Sequence, residues 1–260
     1  MVILKKSISE LNYNELLNYV NNNDLSDSEK DKVIDILINF RKYSEFNFYF
    51  LTITWLNTNQ REKLINSLLQ NCNEKVIYNF SVSLKNKLNE SEVNYIFDKI
   101  YEFNDEDYVF MYIKEFFNVL KDNIDRIIEK ISKDNNYSLL FRVTKEYHDY
   151  LDSKINFIAS VISKSESGYY MNQMLTYNIN DSSKSLLLEE ICKLDDEFNI
   201  RDAIIYLKNN LSNNDINNIL SSYDKTLKHK IIESLLENSI TILSEENITS
   251  IIKIVFKTLN

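Results

Sequence analysis

Apolar positions along this chain recur at i, i+3, i+4 and i+7, set apart by Asn, Asp, Glu, Lys and Ser. The pattern returns eight times. The first four copies are Val33-Ile36-Leu37-Phe40, Ile65-Leu68-Leu69-Cys72, Val93-Ile96-Phe97-Ile100 and Ile124-Ile127-Ile128-Ile131. The next four are Ile155-Ile158-Ala159-Ile162, Leu187-Ile191-Leu194, Ile216-Ile219-Leu220-Tyr223 and Ile248-Ile251-Ile252-Val255. In the sixth copy Glu190 stands where the spacing asks for an apolar residue, which reads as a rotation of the stripe through Leu188. First residues of successive copies lie 32, 28, 31, 31, 32, 29 and 32 positions apart. The spacing puts the apolar side chains on one stripe of an α-helix. A fixed period near thirty marks an array of stacked helical hairpins.

Each stripe has polar start signals upstream. Ser26 and Ser28 precede the first, Asn89 to Glu92 the third, Ser212 to Asp215 the seventh and Ser244 to Glu246 the eighth. Their side-chain oxygens suit the orphan N–H groups of a first helical turn. Asn89-x-x-Glu92 has the spacing of a capping box, and Ser244-x-x-Asn247 lacks the acidic partner. Between stripes there is room for a second helix, expected near 44–57, 74–88, 106–121, 136–149, 167–178, 198–209 and 225–240. Ile113, Phe116, Phe117 and Leu120, with Tyr108, give one of these a broad apolar face; Ile231, Leu235 and Leu236 do so for the last. A helix near 9–21, with Leu11, Leu16, Leu17 and Val20, would cover the open end of the stack. One hairpin cannot bury its stripe alone, so neighbours must stack. The alternative is a compact helical bundle whose loops happen to be even.

Composition narrows the turn chemistry. The chain has no Pro, one Gly (Gly168) and two Ala (Ala159 and Ala203). Left-handed turns must therefore use Asn, which is plentiful at expected helix ends such as Asn135-Asn136 and Asn209-Asn210. Glycine-poor turns argue against hairpin sheets, and the β-rich run Phe46 to Trp55 is expected to be helical from its place in the repeat. Scarce Gly, Ala and Pro beside abundant Asn, Lys, Ile and Tyr look like translation of an AT-rich genome. In such a chain, sequons at Asn79, Asn89, Asn136, Asn180, Asn210 and Asn247 arise by chance. No signal peptide is read at Met1 to Lys6, and no run is apolar enough to span a bilayer. Two distant cysteines, Cys72 and Cys192, make no disulfide framework, so a soluble cytoplasmic setting is expected.

Charge is uneven. Residues 101–200 carry 19 acidic and 11 basic residues, a net of −8 of the total −9. The densest acidic runs are Glu102 to Asp107, with Asp105, Glu106 and Asp107 together, and Asp195-Asp196-Glu197. Both fall at turns before a second helix, where the plain reading is helix-start charge. The functional reading is an acidic surface that draws a basic protein partner. Nucleic acid is disfavoured, because Lys225, Lys228, His229 and Lys230 form the one noticeable basic cluster.

Catalytic signatures are missing from the sequence. Phosphate-cradling loops need several glycines. Zinc sites need Cys and His in close sets, and His148 and His229 stand alone. Cys72 falls at a core position of its repeat, and Cys192 adjoins the stripe at Ile191. No catalytic, metal or cofactor residue is assigned. Among the aromatic residues, Phe48 and Trp55 share one expected helix and Tyr169-Tyr170 follow the glycine; all are expected in the core.

Taken over residues 26–260, the repeat resembles the α-solenoid class that includes HEAT and armadillo arrays. The resemblance implies an all-α, right-handed α-solenoid of about seven to eight antiparallel helical hairpins with a period of about 31 residues. Residues 1–25 would form an N-terminal capping helix, and 1–260 a single domain. The class commonly presents a concave face to another protein. The expected function is thus a non-catalytic scaffold whose acidic middle repeats bind a protein partner, with no cofactor and no membrane. The alternatives are a HEAT-like enzyme or nucleic-acid binder with a dispersed site, and a structural subunit of a larger assembly.

Overall fold

The computed structural model describes residues 7–39, 56–221 and 228–258. Every regular element among them is helical. The expected positions Phe40, 44–55 (with Phe48 and Trp55), Tyr223 and Lys225, and the side chains of Leu17, Lys228 and His229, lie outside the described residues. Contacts group the chain into two compact units, Met1–Asp122 and Asn123–Asn260.

The first unit holds α1 (Tyr13–Asn22), α2 (Asp27–Asn39), α3 (Thr58–Asn71), α4 (Glu74–Ser83), α5 (Glu90–Glu102) and α6 (Glu106–Leu120). Capping boxes open α1 (Asn12 with Glu15), α3 (Asn57 with Gln60) and α5 (Asn89 with Glu92). Helices bearing a stripe stack on one another, α2 on α3 and α3 on α5, and the second helices do likewise, α4 on α6. Val93, Ile96, Phe97 and Ile100 of α5 are fully buried, as are Ile113 and Leu120 of α6. Cys72, expected in the core, is instead half-buried, because it caps the C-terminus of α3 where the stripe runs off the helix.

The second unit holds α7 (Ile124–Lys133), α8 (Tyr137–Tyr147), α9 (Ile155–Ile162), α10 (Gly168–Met174), α11 (Asp181–Lys193), α12 (Glu197–Leu207), α13 (Asn213–Ser221), α14 (Lys228–Ser239) and α15 (Glu245–Thr258). The same two stacks recur: α7, α9, α11, α13 and α15 in sequence, and α10, α12 and α14 beside them. The stripe of α11 rotates as expected. Leu188 is buried and Glu190 turns outward to Lys193 at 2.8 Å. α10 is shorter than the expected 167–178.

Two expectations about caps and burial are corrected. Ser244 and Asn247 do form a reciprocal cap: the Ser244 N–H donates to Asn247 Oδ1 at 3.0 Å, and the Asn247 N–H to Ser244 Oγ at 3.1 Å. An amide oxygen accepts as a carboxylate would, so the acidic partner is dispensable. The last stripe, expected to be buried, exposes Ile248, Ile252 and Val255 while Ile251 is buried; Leu236 on α14 is also exposed.

Turns from a stripe helix to its partner repeat one backbone device. Asn104, Asn135, Glu166 and Asp195 have φ of 59°, 53°, 54° and 54°, in the left-handed region. The next residue in each case, Asp105, Asn136, Ser167 or Asp196, caps the following helix with its side chain. The glycine takes no such turn. A Cβ at Gly168 would lie 2.2 Å from Asn199 Cγ, so its absence lets α10 approach α12 closely.

Candidate interaction surface

The acidic runs serve the turns first. Asp105 accepts from the N–H groups of Asp107 at 3.0 Å and Tyr108 at 3.2 Å, and Asp196 accepts from the Asn199 N–H at 3.1 Å. A carboxylate there meets the positive end of the helix dipole. Glu106 is half-buried, and Asp107 and Asp195 are exposed. Glu197 is buried, its Oε1 3.5 Å from Lys230 Nζ, so it offers nothing to the surface. The two runs belong to different units.

Each run borders a groove between successive stripe helices. In the first unit a groove follows α3 and α5 in two stretches that share Tyr95. One, of ≈ 290 Å³, is lined by Thr58, Glu62, Ile65, Asn89, Ser91 and Glu92. The other, of ≈ 330 Å³, is lined by Asn66, Leu69, Gln70, Lys99, Glu102 and Phe103, and so ends at the turn that carries Asp105 to Asp107. In the second unit a groove of ≈ 340 Å³ between α11 and α13 is lined by Glu189, Cys192, Lys193, Asn218 and Ser221, and reaches Asp195. A lysine in each is already engaged. Lys99 donates to Glu102 at 2.9 Å, and Lys193 to Glu190 at 2.8 Å. Hydrogen bonding to Glu102 raises the Lys99 ammonium above the ordinary lysine range; Glu190, then Glu189, do the same for Lys193. Asp195 lines the open end of the second groove.

Polar ties between residues one repeat apart hold the groove walls in register. Arg61 on α3 clamps Glu92 on α5 with two bonds of 2.7 and 3.0 Å, and the Tyr95 hydroxyl donates to Asn66 Oδ1. Gln60 donates to Asp31 at 2.8 Å, Ser185 to Asp215 at 2.9 Å and Asn247 to Asn217 at 3.0 Å. Sequence reasoning followed only the apolar period and missed these ties. Their signal was a polar period of the same length.

Among the described residues, His148 and Cys192 share no groove. The His148 ring lies 3.1 Å from the neighbouring Asp149 carboxylate and packs on Tyr177, but it is half exposed and lines neither groove. Cys192 is buried at the rim of the α11–α13 groove, where no histidine takes part in the lining. Burial pushes the Tyr147 hydroxyl up to about 12, with Glu146 adding, and raises Tyr112, whose hydroxyl donates to the Val93 carbonyl at 3.0 Å. Both are core tyrosines that stay neutral. Tyr169, expected in the core, is exposed, though its ring still meets Phe141 edge-on. Asn89, Asn136 and Asn180 of the sequons are helix caps, and Asn247 is buried. Among the described residues no three His, Cys, Asp or Glu side chains gather as a metal site, and no helix is long and apolar enough to cross a membrane. Compared with known protein families, curated proteins and solved structures, the chain matches none.

Proposed function

We propose that this chain is a scaffold of the α-solenoid kind, built as right-handed arrays of antiparallel hairpins with a period of about 31 residues. Its acidic turns and the grooves they border hold a protein partner with a basic surface. The helix-on-helix stacking within each unit, the left-handed turn that returns at 104, 135, 166 and 195, and the polar ties one repeat apart support the architecture. The observation that carries the function is the nearness of groove and charge: the α3–α5 groove is lined by Leu69, Glu102 and Phe103, two residues before Asp105 in sequence. An extended basic segment could lay apolar side chains in the groove and set Lys or Arg against the turn.

The test is affinity purification from the native host, then binding measured in a salt series. Association should slow as salt rises, since screening weakens steering. Reversing Asp105 would also remove a cap, so the informative variant is Glu106→Lys with Asp107→Lys. That variant should bind more weakly while retaining helicity. Unchanged affinity, or tight binding to a random DNA duplex, would sink the reading; binding indifferent to salt would favour a structural subunit held by apolar contacts.

A further inference from the structure

α12 and α14 pack side by side and point the same way. Glu197 at the start of α12 lies 3.5 Å from Lys230 near the start of α14, and Ser239 at the end of α14 donates to the Lys208 carbonyl just past α12 at 3.0 Å. Between these ties the facing edges are polar. Arg201 stands one turn after Glu197 and Ser234 one turn after Lys230, so both border the seam. Glu197 Oε1, Arg201 Nε and Ser234 Oγ are buried without a hydrogen-bond partner, three of the five such atoms among the described residues. A buried polar group without such a partner weakens the docking that buries it. Lys230 is half exposed, so it meets Glu197 at the rim of the seam. The far end is strained as well. Lys208 holds φ 43° and ψ −119°, a backbone region that suits glycine, and its carbonyl is the one that Ser239 clamps.

We infer that α14 and α15 swing off α12 and α13 together, as one cooperative unit, while α7 to α13 stay folded. The two helices touch each other and are joined by the short turn Ile240–Ile242. α15 is thinly anchored to α13. Asn247 donates to Asn217 at 3.0 Å and Ile251 is buried, but Ile248 and Ile252 are 43% and 48% exposed. In α9, by contrast, all four stripe residues are buried. Segments with few buried apolar contacts open at a free energy below that of global unfolding. Opening relaxes Lys208, hydrates Arg201 and Ser234, and changes the charge at the start of α12. Glu197 leaves Lys230 and comes to the surface beside the exposed Asp195, so the Asp195-Asp196-Glu197 run presents its third carboxylate only in the open form. The opening itself does not depend on a partner at the acidic turns.

Hydrogen exchange of the full chain, followed by mass spectrometry at low denaturant, tests it. Amides of α14 and α15 should exchange in one correlated step, about tenfold or more faster than those of α9 and α11. Ser234→Ala removes an unpartnered hydroxyl, and Glu197→Met replaces the buried carboxylate with an apolar chain of similar length. Each should slow exchange in α14 and α15 by roughly threefold or more and leave α9 and α11 unchanged. Ser234→Ala takes away a single oxygen, so it keeps the test decisive where Glu197→Met perturbs the start of α12. Exchange of α15 with α14 still protected would mean fraying of one helix and overturns the inference. So does exchange of α14 no faster than that of α9. Faster exchange in Ser234→Ala would mean that the hydroxyl holds the seam together, which defeats it as well.

Discussion

In α9 the stripe Ile155, Ile158, Ala159 and Ile162 is buried throughout; in α15 the same spacing leaves Ile248, Ile252 and Val255 open to solvent. The two helices are alike in pattern and differ in company. α9 touches α7, α8, α10 and α11, all in its own unit, whereas α15 touches α13 and α14. Apolar periodicity specifies that a helix forms and which side is apolar. Whether that side is dry depends on helices packed against both flanks.

Three tests probe that difference. The largest effect belongs to the stripe itself. Ile158→Ala should destabilise by ~2–5 kcal/mol, because it opens a cavity in a fully enclosed site. The matching Ile252→Ala should stay within ~0.5 kcal/mol, as surface changes do. Denaturant unfolding of both checks the pair; equal costs would erase the contrast. Next comes the cover over α9. Gly168→Ala at the start of α10 drives a Cβ into the Asn199 amide, 2.2 Å away, and should cost ~1–3 kcal/mol through overpacking. Adding Asn199→Ala should recover much of that loss if the clash is the cause. The smallest effect lies in the turn that joins α9 to α10. Glu166 holds φ 54°, a conformation that costs residues other than Gly, so Glu166→Gly should stabilise by ~0.5–1 kcal/mol despite the greater freedom of the unfolded chain. A lower midpoint in that variant would mean that the Glu166 side chain contributes more than its backbone strain takes away.

Much of the element order could be read from the residues. The stripe helices α5, α7 and α9 carry their apolar residues where the spacing put them, and the box at Asn89 and Glu92 forms as its chemistry requires. The acidic runs were legible as charge, but their work was not. Asp105 and Asp196 spend their carboxylates on caps, and Glu197 turns inward to Lys230, although all three look alike in a one-dimensional charge count. The grooves were not legible either, since each is made by two helices separated by an intervening one. Glu102 and Phe103 become a groove wall only because Leu69 and Gln70 of α3 stand opposite.

By itself the sequence determined what is local. A stripe at helical spacing, polar caps at its start and a backbone that must turn without glycine need only neighbours within a few positions, and those interactions are present in any helical chain of this pattern. The tertiary structure alone decided which edge of each stripe is covered, which carboxylates reach the surface and where Gly168 is indispensable. These depend on groups about thirty residues apart meeting within a few ångströms, as Gly168 meets Asn199 and Arg61 meets Glu92. Stacking sets such distances, and in α15 the same local pattern leaves Ile248 and Ile252 facing water.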